Sequence, residues 1–443
     1  MTDNTERTAW TASIGTPAAF HVLWSFRHRA ASDLNVLRAA QSAAVHRTAT
    51  GGKAPGIGLR LVMWIVRYPV DLARCLVRFG GPARRVYQRS LPGQLADLLR
   101  VARTTGIQPR DYYMAGLARF GGGEALDRFV PARLYETVAQ YCIAGHPDRV
   151  PTATIDDKAL FERACRERGV AHVASFCVVT ADGVTTSAGD AWSGALPETD
   201  LVLKPTALLQ GKAIERWVAV GDGHFADRSG VRLTGDALLA HARQRAATVG
   251  QTFLIQPYLR NHPDLASLAG DMLVTLRVVT LRNEQGDPEL VHAMLRTLKA
   301  PGAAVDNYTS GGIHFGINVE TGRLGSGMTA DLGLNPVPHT THPANGIRME
   351  GRTMPLWHDI RTFVSAAHER FCEYGLIGWD IAVTPRGVVA IEANFPPSMD
   401  PGDQVWHGGL IGSRVGDLLV WYARTRLAAS EPAGSRWRPR GLG

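Results

Sequence analysis

The sequence predicts a mixed α+β protein in which a basic helical front precedes largely antiparallel sheet. Three observations lead there. From residue 170 onward the β-rich runs arrive in adjacent pairs rather than alternating with helices. Helical spacing of apolar residues governs the stretch from about 57 to 150. The 443 residues exceed a common domain, and 45% apolar with 20% charged residues suffices for a full core.

In chain order, residues 1 to about 50 are polar and alanine-rich and close on Thr50-Gly51-Gly52-Lys53-Ala54-Pro55-Gly56, a loose lead-in and linker. The start Met1-Thr2-Asp3-Asn4-Thr5-Glu6 is acidic where a secretory signal is basic and then apolar, so export is not expected. Ile57 to Phe79 is strongly apolar but carries Arg60, Arg67, Arg74 and Arg78, leaving no charge-free run near the roughly 20 residues of a membrane span. Those arginines form one stripe opposite Leu61, Met63, Ile65 and Leu72, which predicts an amphipathic helix bent or broken at Pro69. A solvated helix face and adsorption to an anionic membrane surface both fit that stripe.

Further on, Leu95, Leu98, Leu99 and Ala102 recur at helical spacing, and Pro109 marks a helix start after Gly106. Thr152 to Lys158 reads as a cap leading into a helix whose Leu160, Phe161, Ala164 and Cys165 share a face before Gly169 stops it. Strands are expected at Val173–Thr180, Leu201–Lys204, Thr252–Gln256, Leu273–Leu281 and Leu290–Leu295, with a helix at Gly235–Ala247. A helix at Trp357–Phe371, two more strands and a helix from Arg414 to about Arg426 complete the series, ahead of a disordered tail. The expected divisions are 1–90, 91–150, 151–255, 256–428 and 429–443.

Charge is unevenly spread. Residues 1–150 hold 20 Lys plus Arg against 10 Asp plus Glu, while the rest has 28 against 30. No nucleic-acid recognition motif accompanies the basic front, so no nucleic-acid partner is expected. Five scattered cysteines, Cys75, Cys142, Cys165, Cys177 and Cys372, without Cys-x-x-Cys spacing argue for a reducing cytoplasm rather than a disulfide framework. Peripheral contact with the inner membrane face is the open alternative that the arginine stripe leaves.

The chemistry concentrates in Gly378 to Asn394. Two alternating runs flank Pro385-Arg386-Gly387, the composition of a three-residue hairpin loop. That loop sets Thr384 opposite Val388 and Asp380 opposite Glu392, with Asn394 on the same face and Ile381, Val383, Val389 and Ile391 on the other. Facing carboxylates are a destabilising strand pair unless a cation lies between them, and three oxygen donors suit Mg²⁺ or Mn²⁺. A water-screened hairpin face is the alternative, and a two-residue loop would slip the register and separate the acids. Lys204 ends an apolar strand before Pro205, placed to hold a phosphate. Arg277 and Arg296 sit within β-runs, where a guanidinium needs an anion or an open cleft.

In this order the pieces resemble the ATP-grasp superfamily and, within it, the sugar-transfer-associated ATP-grasp family, with similarity to α-L-glutamate ligase-like enzymes. The matching residues are Asp157-Lys158, Leu203-Lys204-Pro205, Ile255 to Leu259, Thr275 to Val278, Arg296 with Asn307 and Gly311-Gly312, Gly378-Trp379-Asp380, and Ile391 to Asn394. The likeness spans roughly residues 95–415 and includes Gly106 to Tyr113. It implies an ATP-grasp fold, with ATP between two α+β subdomains at 151–255 and 256–428. It also implies Lys158 and Lys204 on the phosphates, Lys212 in a lid, and a hinge of Gln256, Tyr258 and Leu259 along the adenine. Asp380, Glu392 and Asn394 would hold Mg²⁺ or Mn²⁺, and Arg277, Arg296 and Asn307 would face the γ-phosphate and the second substrate.

The implied reaction turns a carboxylate into an acyl phosphate that an amine attacks, releasing ADP and phosphate. The implied setting is polysaccharide, cell-envelope or related biosynthesis, with small or sugar-linked substrates. An ATP-grasp phosphotransferase and a noncatalytic nucleotide-binding subunit are the alternatives. Two departures stand out: Pro205 to Lys212 contains only Gly211 where a glycine-rich lid is usual, and Gln256-Pro257 replaces an acidic hinge. His262 and His314 are candidate acid–base groups because histidine titrates near neutrality.

Overall fold

The computed structural model describes residues 32–49, 57–143, 152–207, 213–265, 273–298, 312–330, 336–399 and 401–429. Residues 1–31, the linker at 50–56, the lid from 208 to 212, Asn307 and the tail lie outside the described residues; the remainder of the expected loose lead-in is instead helical over Asp33–Ala49, because Leu34, Leu37 and Ala40 pack into the core.

The front is helical: α1 (Asp33–Ala49), α2 (Ile57–Tyr87), α3 (Leu91–Thr104), α4 (Pro109–Met114) and α5 (Ala132–Val138). Pro69 does not break α2, which runs through both Pro69 and Pro82 as one helix. Packing outweighs the lost bond: Tyr68 and Cys75 are buried, and the Tyr68 hydroxyl donates to Leu98 O at 3.0 Å. Helix α3 also departs from its expected face. Leu98 and Ala102 are buried with Val101, but Leu95 and Leu99 are exposed. Gln94 and Asp97 point inward instead, because the buried Tyr113 and Tyr112 hydroxyls donate to them, each at 2.9 Å. The Arg89 guanidinium completes that network on Asp97 at 2.7 Å. Gly106 has φ +78 ahead of Pro109, which opens α4 at its first turn as expected.

The segment expected only as a cap, from Thr152, forms a short helix of its own, α6 (Thr152–Asp156), ahead of the expected helix α7 (Lys158–Glu167). The division lies at Asp157, whose Oδ1 accepts from the Ala159 and Leu160 N–H groups at 2.9 and 3.0 Å as an N-cap. Phe161, Ala164 and Cys165 are buried, and Leu160 is half-buried.

Two seven-stranded sheets follow. The smaller contains β1 (Cys177–Val179), β2 (Val184–Thr185), β3 (Leu201–Pro205), β4 (Glu215–Gly221), β5 (His224–Ala226), β6 (Arg232–Thr234) and β7 (Phe253–Pro257), with α8 (Gly235–Val249) packed on it. Its order is β2-β1-β7-β3-β4-β5-β6. The larger contains β8 (Thr275–Arg282), β9 (Pro288–Leu298), β10 (Gly312–Ile317), β11 (Leu324–Ala330), β12 (Pro336–His339), β13 (Leu376–Thr384) and β14 (Gly387–Asn394). Its order is β12-β11-β10-β9-β8-β13-β14, and the named strand pairs of both sheets are antiparallel. Helix α9 (Trp357–Arg370) lies between β12 and β13 in sequence, and α10 (Pro401–Gln404) and α11 (Arg414–Ala429) close the described chain. Periodicity did not indicate β10 and β11, because Gly312, Gly316, Gly325 and Gly327 dilute their β signal.

One face of the large sheet builds the main core with α1, α5, α7, α9 and α11. Trp379 is its largest inward side chain there, packed against Phe161 and Phe371. Its indole N–H donates to Thr280 Oγ1 at 2.8 Å, so burial leaves no donor unpaired. The opposite face meets the α2–α4 group through Met328 and Val405. No helix among the described residues is long and apolar enough to cross a membrane. No cysteine among them is paired in a disulfide: Cys75, Cys142, Cys165 and Cys177 are buried, and Cys372 is exposed.

Candidate active site

The β13–β14 hairpin sets the site. Asp380 pairs with Glu392 and Gly378 with Asn394, as the sequence predicts, but by a different route. The loop is two residues long, with Thr384 opposite Gly387, and a bulge between Asp380 and Ile381 restores the register. The bulge also changes the underside. Opposite Ile381 and Val383 stand Ala390, which is buried in the core, and Val388, which is half-buried against it, whereas the expected core residues Val389 and Ile391 are half-buried and are not part of it.

Antiparallel pairing then carries the polar face across the sheet. Asp380 lies opposite Arg277 of β8, and Thr275 lies opposite Arg296 of β9, which in turn faces His314 of β10. Arg277 donates to Asp380 through Nε, and through Nη2 to Oδ2 at 3.2 Å. Arg296 Nη1 reaches the same Oδ2 at 3.2 Å. Burial pushes the Asp380 carboxyl up, but Arg277 and Arg296 outweigh it and hold the group well below the usual carboxylate range.

The small sheet and α7 supply the facing cations. The Lys158 ammonium lies 3.2 Å from Glu392 Oε2, and the Lys158 backbone N–H, donating to Thr206 O at 3.0 Å, ties the start of α7 to the chain just after β3. Lys204 is buried at the end of β3. Burial, opposed by Glu392 and reinforced by Lys158, brings its ammonium down to about 8. Such a lysine is still mostly charged at neutrality and reaches half charge only near pH 8, and a polyanion would hold its proton more firmly. Behind it, Glu162 accepts from the Ser175 N–H at 2.9 Å and from its hydroxyl at 2.5 Å.

The hinge residues are placed less simply. The Gln256 side chain turns inward, donating to Val173 O and Ser175 Oγ, both at 3.1 Å. The Tyr258 N–H donates to Asp200 O at 2.8 Å, and its ring carries the Arg216 guanidinium 3.8 Å from the centroid. Leu259 is half-buried just beyond β7. Lys212 and Asn307 lie outside the described residues. His262 sits beside Asp264 at 3.7 Å, whereas His314 lies on the Arg296 face.

Several groups had weak signals or none. Glu162 falls one helical turn after Lys158, a spacing that puts both on one side of α7. His292 shares the β9 face of Arg296 by strand alternation, and its Nδ1 lies 2.6 Å from His407 Nε2. Burial first, then His407, Arg277 and Arg296, hold the His292 imidazole well below its ordinary value, so it is neutral. His407 comes from the short turn Val405–His407, which crosses the sheet where Gly316 leaves room: a Cβ there would stand 2.7 Å from the Trp406 ring. Gly378 likewise admits the chain after β14, since a Cβ would meet Pro397 Cβ at 2.3 Å. Tyr135 is buried with its hydroxyl unpartnered, near enough to Arg277 to feel its charge.

The residues fit a divalent cation that arrives with phosphates. Asp380, Glu392 and Asn394 present hard oxygen donors on one face, and three donors from arginine leave part of the Asp380 acceptor capacity unfilled. The Asn394 amide nitrogen is buried without a hydrogen-bond partner, and rotating the amide places its carbonyl oxygen there instead. Among the described residues no cluster of three or more His, Cys, Asp or Glu is placed to hold a metal alone. Two carboxylates plus substrate phosphates is the usual setting for Mg²⁺.

The family model for sugar-transfer associated ATP-grasp proteins matches residues 142–415. No curated protein matches the sequence. Among solved structures, the chain resembles a D-alanyl-alanine synthetase A from Vibrio cholerae O1 biovar eltor with 12% identity and a TM-score of 0.35, covering 62% of this chain and 66%, just under two thirds, of that one. It resembles a D-alanine–D-alanine ligase from Bacillus anthracis with 11% identity and a TM-score of 0.34, over 62% and 69% of the two chains. A D-cycloserine synthetase matches with 15% identity and a TM-score of 0.32, over 63% and 73%.

Proposed function

This chain belongs to the sugar-transfer associated ATP-grasp family, and from that premise we propose that it is an ATP-dependent ligase joining a carboxylate to an amine with release of ADP and phosphate. The observation that carries this reading is the facing pair Asp380 and Glu392 set among Arg277, Arg296, Lys158 and Lys204. Four cations around two carboxylates suit a substrate that brings both a polyphosphate and a counter-cation.

In this reading Lys158 and Lys204 bind the phosphate chain. Because the Gln256 amide is turned inward, the strand's backbone borders the adenine, with the Tyr258 carbonyl and Leu259 N–H as the hinge groups. Lys212 is assigned to the phosphate lid, and Asn307 to the second-substrate side. A divalent cation held by Asp380, Glu392 and Asn394 would neutralise phosphate oxygens during transfer.

A substrate carboxylate oxygen attacks the γ-phosphorus as ADP leaves. Arg277 and Arg296 bear on the moving phosphoryl oxygens, where a guanidinium fork matches the geometry. An amine then attacks the acyl carbon, phosphate departs, and the amine loses its proton. The segments 151–255 and 256–428 act as the two jaws and exclude water from the acyl phosphate. The substrates are assigned to polysaccharide, cell-envelope or related biosynthesis on the family's description alone.

The test is ADP release in the presence of Mg²⁺-ATP and pooled amino acids, sugar acids and amino sugars, followed by a heavy-oxygen label in the active carboxylate. Transfer of one labelled oxygen to free phosphate, with a new amide, supports the reading. Phosphate retained on the product assigns a phosphotransferase instead, and nucleotide binding without substrate-dependent ADP release assigns a noncatalytic subunit.

A further inference from the structure

Helix α2 buries one side and leaves the other unusually apolar. Tyr68, Cys75 and Ala83 face the core with Leu72 and Phe79. On the outer side Val66, Val70 and Val77 are 65%, 46% and 87% exposed. With the exposed Ala73 they fall at i, i+4, i+7 and i+11, a single stripe about three turns long. Arg67, Arg74 and Arg78, one residue further round, are all exposed beside it. Across Ile57–Tyr87 six arginines stand against one acid, Asp71. A helix face meant only for water has no need of three valines turned outward, and a face meant for a neutral partner has no need of a flanking arginine row.

We propose that this face of α2 is a membrane-docking surface that lies in the headgroup region of an anionic bilayer. The valine stripe enters the acyl boundary, and Arg67, Arg74 and Arg78 contact lipid phosphates. Charge complementarity selects this occupant. Each arginine gains from the negative surface potential, and valines beside arginines match the layered polarity of a lipid interface. A nucleic acid fits less well, because the stripe offers no aromatic ring for stacking and places aliphatic groups where phosphates would lie. The inference stands apart from the ligase reading and does not depend on it.

The test uses the full-length protein in flotation with vesicles of phosphatidylcholine containing about a third phosphatidylglycerol, beside vesicles of phosphatidylcholine alone. Binding is expected to the anionic vesicles only and to weaken with salt. Replacing Arg67, Arg74 and Arg78 together by glutamine lowers partitioning by about 100-fold, and Val77→Asp by about tenfold. Circular dichroism and melting temperature should not move, since all four side chains are exposed. Absence of binding to anionic vesicles, or binding unchanged in both variants, overturns the proposal. So does a concentration-dependent dimer that Val77→Asp dissolves, which would assign the face to a second copy, and so does salt-sensitive retention of RNA in place of vesicles.

Discussion

Asp380→Asn removes one charge while keeping shape, so it isolates what the carboxylate does for the fold. The residue is 8% exposed and receives three hydrogen bonds from two guanidinium groups. Taking away one member of a buried ion cluster leaves the others uncompensated, and such losses run to about 3–5 kcal/mol. Urea unfolding followed by tryptophan fluorescence, with Trp379 buried next in sequence, reads this loss directly. A pH series adds a second signature. The carboxyl is held below its unfolded value of about 3.9, so it stabilises the fold above that pH, and the contribution disappears as pH falls through the folded value. The variant should therefore have a shallower acid limb. Combining it with Arg277→Met should reveal a coupling of at least about 1 kcal/mol. A variant within about 1 kcal/mol of the parent, or strict additivity with Arg277→Met, would refute the claim that these charges act as one cluster.

Glu392→Gln should behave oppositely. Its contact with Lys158 is about a quarter solvent-exposed on the glutamate side, so stability should change by less than about 1 kcal/mol, while substrate-dependent ADP formation falls at least about 100-fold; equal losses in both would contradict its assignment to the metal. The Lys204 ammonium, brought down to about 8, predicts that ATP affinity measured by calorimetry declines as pH rises from 7 to 9, and that Lys204→Met abolishes this slope along with much of the affinity. Gly378→Ala forces a Cβ against Pro397 and should destabilise the fold by about 1–3 kcal/mol in the same urea assay; an unchanged midpoint would show that the 395–397 segment yields freely.

The sequence by itself determined the class of fold and the pairing of Asp380 with Glu392, because both are written in local patterns. Alternation places Asp380, Glu392 and Asn394 on one side of a hairpin, an arginine within a β-run signals an anionic surrounding, and glycine and proline mark helix ends near Gly106, Pro109 and Gly169. What it could not supply were the contacts made across the chain. Val389 and Ile391 were assigned to the core because strict alternation carries no sign of a bulge, and the bulge exists to reconcile a two-residue loop with the Asp380–Glu392 pairing. Leu95 and Leu99 were expected inside, yet Tyr112 and Tyr113, from a later helix, draw Asp97 and Gln94 inward instead. The His292–His407 contact joins residues 115 positions apart, through a turn admitted by the missing side chain of Gly316. Periodicity reports which way a side chain faces along its own element; which charge, ring or hydroxyl it meets there is decided only when distant segments pack together.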